Sequence, residues 1–236
     1  HNALDAVAMG VSARKVSWIL DADISKFFDT IEHDWLMKFI EHRVADARVL
    51  RLIKQWLHAG VMEEGRVTRS ELGTVQGGSI SPLLANIYLH YAFDLWVEQW
   101  RRRHAKSDVI IVRYADDWVA GFGKHVDAQR FRRDVAARLK GFGLTLHEKK
   151  TRLIEFGRFA REDRSRRGQG KPQTFDFLGF THCCGATRRG KFVVLRLTSA
   201  QKTRAKLRAV QEELRKRMHR PIAEQGIYLR SVVVGH

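Results

Sequence analysis

Cysteine is nearly absent: the 236 residues hold two, Cys183 and Cys184, side by side. Adjacent thiols cannot staple distant segments, so no disulfide framework holds this fold, and a reducing, intracellular setting is expected. His182-Cys183-Cys184 offers soft metal ligands, yet no second pair completes a tetrahedron, which leaves these cysteines structural. Long apolar runs are also missing. Stretches such as Val109 to Val112 fall far short of the roughly 20 residues of a membrane-spanning helix. No secretory leader is recognisable, and a chain opening at His1 rather than methionine is expected to be a piece of a longer protein. Acidic residues are scarce: 26 Asp plus Glu stand against 43 Lys plus Arg, a formal net charge of +17. Such an excess asks for a polyanionic partner, because each neutralised phosphate releases condensed counterions. An acidic membrane surface is the competing partner.

What is present is enough to build a core. A hydrophobic fraction of 44% excludes wholesale disorder. The positive charge concentrates toward the C-terminus, where residues 158–220 carry 18 Lys or Arg against 5 Asp or Glu, a net of +13. Within that region Arg158 to Lys171 is basic and poor in apolar residues, and reads as a surface loop that either binds phosphates or is merely solvated.

Val16 to Ile24 is β-rich and mostly apolar, as a buried strand requires. Two short helices follow, one carrying Trp35, Leu36, Phe39 and Ile40, the other Val49, Leu52, Ile53, Trp56 and Leu57. Met62 to Leu72 has the pattern of an exposed hairpin. Pro82 suits the first turn of a long helix reaching Trp96. Val109 to Val112 and Trp118 to Ala120 flank a tight turn, and Val126 to Phe142 is an amphipathic helix closed by Gly143. Leu144 to Leu146 and Thr151 to Phe156 are short strands, and Thr174 to Thr181 pairs with Phe192 to Leu197. Ser199 caps a last helix with the stripe Leu207, Val210, Leu214 and Met218. Strands and helices mix without βαβ regularity, so the fold class is α+β.

Two acid clusters stand out. Asp21 and Asp23 lie two apart on the first strand and share a face. Asp116 and Asp117 sit in the turn between two apolar strands. Adjacent aspartates commonly just start turns, but at the edge of a buried sheet unpaired anions are costly without a cation. Nucleotidyl transfer needs such carboxylates, because two Mg²⁺ ions about 4 Å apart clamp the attacking and leaving oxygens. Periodicity alone does not show that Asp23 and Asp116 meet.

Asp23-Ile-Ser-Lys-Phe-Phe28, Gln76-Gly-Gly-Ser-Ile-Ser-Pro82, Tyr114-Ala-Asp-Asp117, Leu-His-Glu-Lys-Lys-Thr151 and Phe177-Leu-Gly-Phe180 resemble successive reverse transcriptase motifs in the right order. The likeness is strongest to bacterial group II intron-encoded reverse transcriptase/maturases and extends through His33-Asp-Trp-Leu, Ser81-Pro-Leu-Leu-Ala-Asn-Ile-Tyr88 and Arg152-Leu-Ile-Glu-Phe-Gly157. It implies a right-hand polymerase palm, an antiparallel sheet packed on helices, with partial fingers over residues 1–197 and the start of a helical thumb, or maturase region, over 198–236. It further implies an RNA-directed DNA polymerase that also binds intron RNA. Its partners would be an RNA template, a DNA primer or target and a deoxynucleoside triphosphate, in the bacterial cytoplasm and without a membrane.

By the same resemblance Asp23, Asp116 and Asp117 are the catalytic, metal-binding acids, joined by the Ile24 carbonyl, and the cofactor is a pair of Mg²⁺ ions with Mn²⁺ as a substitute. Asp21 is left as a supporting acid. Phe28 matches the ring that excludes a ribose 2′-hydroxyl, with Phe27 a core residue beside it. Gln76, Gly77 and Gly78 would border nucleotide and template, and Lys150 would approach the triphosphate. Phe177, Leu178, Gly179 and Phe180 would grip the primer. A core phenylalanine, a solvated lysine and a plain hairpin explain Phe28, Lys150 and residues 177–180 respectively without any such role. Val75 stands where the family has proline, and Glu148-Lys149 where it has Pro-Glu, which bears on loop geometry but removes no metal ligand. A mainly RNA-binding splicing cofactor, or a reverse transcriptase of a retron, diversity-generating or CRISPR-linked system, shares the same residues.

Overall fold

The computed structural model describes residues 2–58, 61–63, 66–68 and 80–235. The elements in chain order begin with helix α1 (Asn2–Ala13), strand β1 (Trp18–Ala22) and helices α2 (Phe27–Thr30), α3 (His33–Glu41) and α4 (Ala47–His58). Strands β2 (Val61–Glu63) and β3 (Arg66–Thr68) pair antiparallel, in keeping with the hairpin expected from Met62 onward. Next come α5 (Ser81–Leu89), a π-helical turn (His90–Asp94) and α6 (Leu95–His104), together the long helix announced by Pro82 in its first turn. The chain continues with β4 (Val109–Tyr114), β5 (Asp117–Phe122), α7 (His125–Lys140) and β6 (Arg152–Glu155). The chain closes with α8 (Ala160–Arg166), β7 (Phe175–Phe177), β8 (Phe180–Ala186), β9 (Phe192–Thr198), α9 (Ala200–Lys216) and α10 (Ile222–Val234).

Strand alternation organises the layers. The central sheet runs β4-β5-β1-β6, antiparallel throughout, with β1 in the middle. Leu20, Ala22, Trp118, Ala120 and Phe122 join one core with residues of α3, α5, α6 and α7. On the opposite face Ile19, Val119 and Ile154 join Leu4, Val7 and Val11 of α1 and Phe175, Phe177 and Val194 of the second sheet, β7-β8-β9. Successive side chains point to opposite faces, so a sheet buried on both sides needs apolar residues at nearly every position. Asp21 and Asp23 interrupt that rule on the face that also carries Ile19.

Three expectations are corrected. Leu144 to Leu146 forms no strand; Leu146 makes a single bridge to Ile24, because the chain has only just left α7 and its closing turn. Arg158 to Lys171 is not all loop, since α8 occupies its first half. Buried Glu155 accepts from Arg167 and lies 3.9 Å from Arg164, which ties the helix back to β6. Finally, Ser199 does cap α9, accepting from the Lys202 N–H at 3.4 Å, yet neither α9 nor α10 has a buried residue. Leu207 and Met218 of the expected stripe are exposed.

Candidate active site

β1 runs out at Ala22, paired with Trp118, so Asp23 emerges beside Asp117, the first residue of β5. The Asp23 carbonyl accepts from the His147 N–H at 2.8 Å and the Ser25 N–H donates to Thr145 O at 2.8 Å. This is the non-hydrogen-bonded type of antiparallel bridge, so the carbonyl of Ile24 points away from Leu146 and toward the β5 side. Asp21 accepts from Arg152 at 2.9 Å, across the β1–β6 pair. Burial lifts the Asp21 carboxyl above the usual range, an effect that Arg152 offsets.

The β4–β5 connection is a two-residue turn, Ala115-Asp116, closed by the Tyr114–Asp117 pair. Ala115 takes φ 54°, a region that costs an L-residue about 1–2 kcal/mol. Arg113 holds the turn in place: its guanidinium donates to the Ala115 carbonyl at 2.7 Å and to Asn86 Oδ1 at 2.9 Å. Asp94, in the π-helical turn, grips the same guanidinium through both oxygens at 2.7 and 2.6 Å. A π turn adds a residue to a helix and so rotates the side chains beyond it; here the helix that opens with Pro82 steers a carboxylate onto the strand before the acids.

A second two-residue turn, Leu178-Gly179, faces the first. The Phe177–Phe180 pair closes it, and φ is 50° at Leu178 and 79° at Gly179, the two positive angles of a type I′ hairpin. A Cβ on Gly179 would fall 2.0 Å from Lys202 Nζ, so only glycine lets that ammonium lie across the turn. The Ser199 N–H donates to the Gly179 carbonyl at 3.1 Å, fixing the start of α9 to the same turn. Between these parts opens a cleft of about 820 Å³, lined among others by Asp21, Asp23, Asp117, Lys150, Leu178 and Lys202.

The acids feel one another. The Asp117 carboxyl is held above the usual range by partial burial, then by the charges of Asp116, Asp23 and Asp21. Lys150 Nζ lies 2.6 Å from Asp23 Oδ2, and that contact raises the pKa of the ammonium. Hard carboxylate oxygens at rigid strand ends suit a divalent cation such as Mg²⁺. Among the described residues, however, no three His, Cys, Asp or Glu side chains converge closely enough to hold an ion. The donor chemistry fits, with Lys150 supplying the positive charge at Asp23 that a cation would replace.

Of the expected site residues, Asp23, Asp117, Lys150, Phe177, Leu178 and Gly179 line this cleft. Phe180 lines the adjoining opening with Tyr114 and Asp117. Asp116 sits at the tip of the turn. Phe27 is buried and Phe28, half-buried, meets it edge-on at 5.3 Å, both packed into the helical core. Gln76, Gly77 and Gly78 lie outside the described residues. Sequence reasoning missed Arg113, Asp94 and Lys202. The single basic residue in the apolar run Val109–Tyr114 was the one available signal for Arg113. Cys184 lies against the Gly157 backbone: its Sγ receives the Gly157 N–H at 3.4 Å, and burial pushes the thiol up to about 11.

An antiparallel palm with acids at the end of its central strand and in the adjoining hairpin defines a right-hand polymerase. The family model described as "Reverse transcriptase (RNA-dependent DNA polymerase)" matches residues 3–182, and the chain belongs to that family. Group II intron-encoded protein LtrA of Lactococcus lactis subsp. cremoris is 38% identical over 38% of this chain and 15% of its own length. Protein YkfC of Escherichia coli K12 is 31% identical, covering 50% of this chain and 39% of the relative. An uncharacterized 91 kDa protein in the cob intron of Schizosaccharomyces pombe is 26% identical over 65% and 25%. The chain thus spans well under half of each of these relatives. Among solved structures, apo telomerase from Candida tropicalis, truncated from its C-terminal domain, aligns at TM-score 0.58 and 14% identity, over 83% of this chain and 38% of that one. That likeness speaks for the fold. No helix among the described residues is long and apolar enough to cross a membrane.

Proposed function

We propose that the chain is the catalytic core of an RNA-directed DNA polymerase of group II intron type, extending a DNA primer on an RNA template from deoxynucleoside triphosphates. The observation that carries this reading is the strand register, which brings Asp23, just past the end of β1, level with Asp117 and one residue from Asp116 in the β4–β5 turn. Asp23, Asp116 and Asp117 would hold the divalent ions, with the Ile24 carbonyl beside them, while Asp21 stays with Arg152 as a supporting acid. Two Mg²⁺ ions, or Mn²⁺ in their place, would supply charge neutralisation at the attacking and leaving oxygens. Lys150 leaves Asp23 to meet the triphosphate. Residues 177–180 seat the primer end, Phe28 reads the sugar, and Gln76, Gly77 and Gly78 border the template.

Residues 1–197 form the partial fingers and palm, and 198–236 begin the thumb or maturase region. The unpartnered helices α9 and α10 support that division, since neither buries a side chain. The high positive charge supports intron RNA binding alongside polymerisation, in the bacterial cytoplasm. In the full-length protein, Asp116→Ala should lower primer extension by about 10²–10³-fold or more, the usual loss when a transition-state charge partner is removed, with RNA binding nearly unchanged. Extension at the wild-type rate would show the acid assignment to be wrong. Equal loss of extension and RNA binding would point instead to a folding defect.

A further inference from the structure

At the end of the palm opposite the acids, the turn after β6, helix α8 and the β8–β9 hairpin enclose a second cleft of about 680 Å³. It shares no lining residue with the acidic cleft. β1 sets the separation. The Phe156 N–H donates to Ser17 O at 3.0 Å just before the strand begins, whereas Asp23 comes after its end. At about 3.3 Å per residue the two clefts lie roughly 15–20 Å apart. β8 spans the same interval, from the Leu178–Gly179 turn at Phe180 to the far cleft at Ala186.

The far cleft is basic and carries an aromatic ring. Arg158, Arg161 and Lys191 line it, Arg158 with one guanidinium nitrogen donating to the Ser12 carbonyl at 3.1 Å, and Glu162 is the one acidic residue among its described lining. Arg188 and Arg189 are exposed in the adjoining hairpin loop. Neighbouring arginines are committed elsewhere: Arg164 and Arg167 to Glu155, Arg166 to Asp163. Arg161, Arg188, Arg189 and Lys191 make no ion pair among the described residues. Phe159 stands in this basic surround with half of its surface (51%) exposed. The floor is rigid, because a Cβ on Gly157 would meet Val16 O at 2.2 Å and the Gly157 N–H is bound to Cys184 Sγ.

Cations held in no ion pair and flanking an exposed ring are the parts of a single-strand nucleic-acid site: phosphates track the charge and a base stacks on the aromatic face. We propose that this cleft is a second nucleic-acid subsite, distinct from the template–primer path, that binds a single strand through Arg158, Arg161 and Lys191 with one base on Phe159. The proposal rests on the polymerase reading only in that the protein handles nucleic acid.

The test uses the full-length protein and labelled single strands of RNA and of DNA, with binding measured across a salt series. Arg161→Glu/Lys191→Glu should weaken binding by about tenfold or more, and lower the slope of log affinity against log salt by about 1.4, as expected when two phosphates are no longer neutralised. Phe159→Ala should weaken binding by about tenfold without changing that slope. Thermal unfolding, and extension of a template–primer too short to reach the far cleft, should stay as in the wild type. Loss confined to the RNA arm would identify the strand as RNA, and loss confined to the DNA arm as DNA; either supports the subsite. Wild-type affinity in both variants would overturn it while leaving the polymerase standing. A wild-type protein that binds strands through this cleft but extends no primer would sink the polymerase reading and spare the subsite.

Discussion

The two hairpins that face each other across the acidic cleft share a length and differ in how they are held. Both have two-residue turns, and both put a non-glycine residue at positive φ, Ala115 in one and Leu178 in the other. The β4–β5 turn is braced from inside the fold: Arg113 reaches its carbonyl and is itself clasped by Asp94. The β7–β8 turn is braced by its own backbone, with glycine at the second position, and by the start of α9. Strained conformations persist where the surroundings over-determine them. The difference reflects the load on each turn. Carboxylates at the first must keep a fixed position against mutual repulsion, whereas the second presents backbone and an ammonium and tolerates a more local support.

Breaking the internal brace should therefore have the larger effect. Arg113→Ala strands the Asp94 carboxylate and frees the Ala115 carbonyl. Deleting one partner of a fully buried pair costs about 3–5 kcal/mol, so a pair that is partly exposed should cost about 2 kcal/mol. Denaturant unfolding would read this loss, and primer extension should fall further than the lost stability explains. Arg113→Lys should rescue little, because an ammonium cannot span both carboxylate oxygens and the carbonyl. An Arg113→Ala protein that extends primers normally would break the link between the brace and the acids.

Much of this architecture was legible in the chain. Asp21 and Asp23 share a face because strands repeat every two residues, and the apolar flanks of Asp116-Asp117 placed that pair at a sheet edge. Pro82 and Ser199 marked helix starts that the structure contains. The brace was not legible. Asp94 and Arg113 lie 19 positions apart on different elements, and a π turn, for which no sequence period is diagnostic, aims one at the other. Lys202 over Gly179 was hidden for a similar reason: the contact depends on how the start of α9 docks on a turn more than 20 residues earlier. The basic stretch after Arg158 read as loop because its helix is held by Glu155, whose burial belongs to the tertiary fold.

The local support of the second turn predicts a smaller loss. Gly179→Ala places a side chain at φ 79°, costing about 1–2 kcal/mol, and pushes the flexible end of Lys202 aside rather than into a rigid wall. Unfolding should shift by that amount, while the extension defect should appear mainly as a raised KM for primer–template. A fall in kcat as large as that of Arg113→Ala would erase the contrast between the two hairpins.

The smallest effect concerns the sheet behind the second turn and depends on pH. His182 is fully buried, stacked on Phe175 at 4.7 Å with an interplanar angle of 7°, and its Nε2 has no hydrogen-bond partner among the described residues. Burial depresses its pKa, and Arg196, opposite it in the β8–β9 register, works in the same direction, while the Phe180 carbonyl, Asp176 and the Phe175 backbone oppose them. The folded protein thus keeps the imidazole neutral at a pH where the unfolded chain, with an ordinary value near 6.5, already binds a proton. Stability from this residue is present above that value and drains away as pH falls below it, until the depressed folded value is reached. His182→Phe preserves a stacked ring and removes the titration, so its unfolding free energy should fall less steeply than the wild type's below pH 6.5. Parallel pH profiles for His182→Phe and wild type would show that the β7–β9 sheet carries no proton-linked weakness.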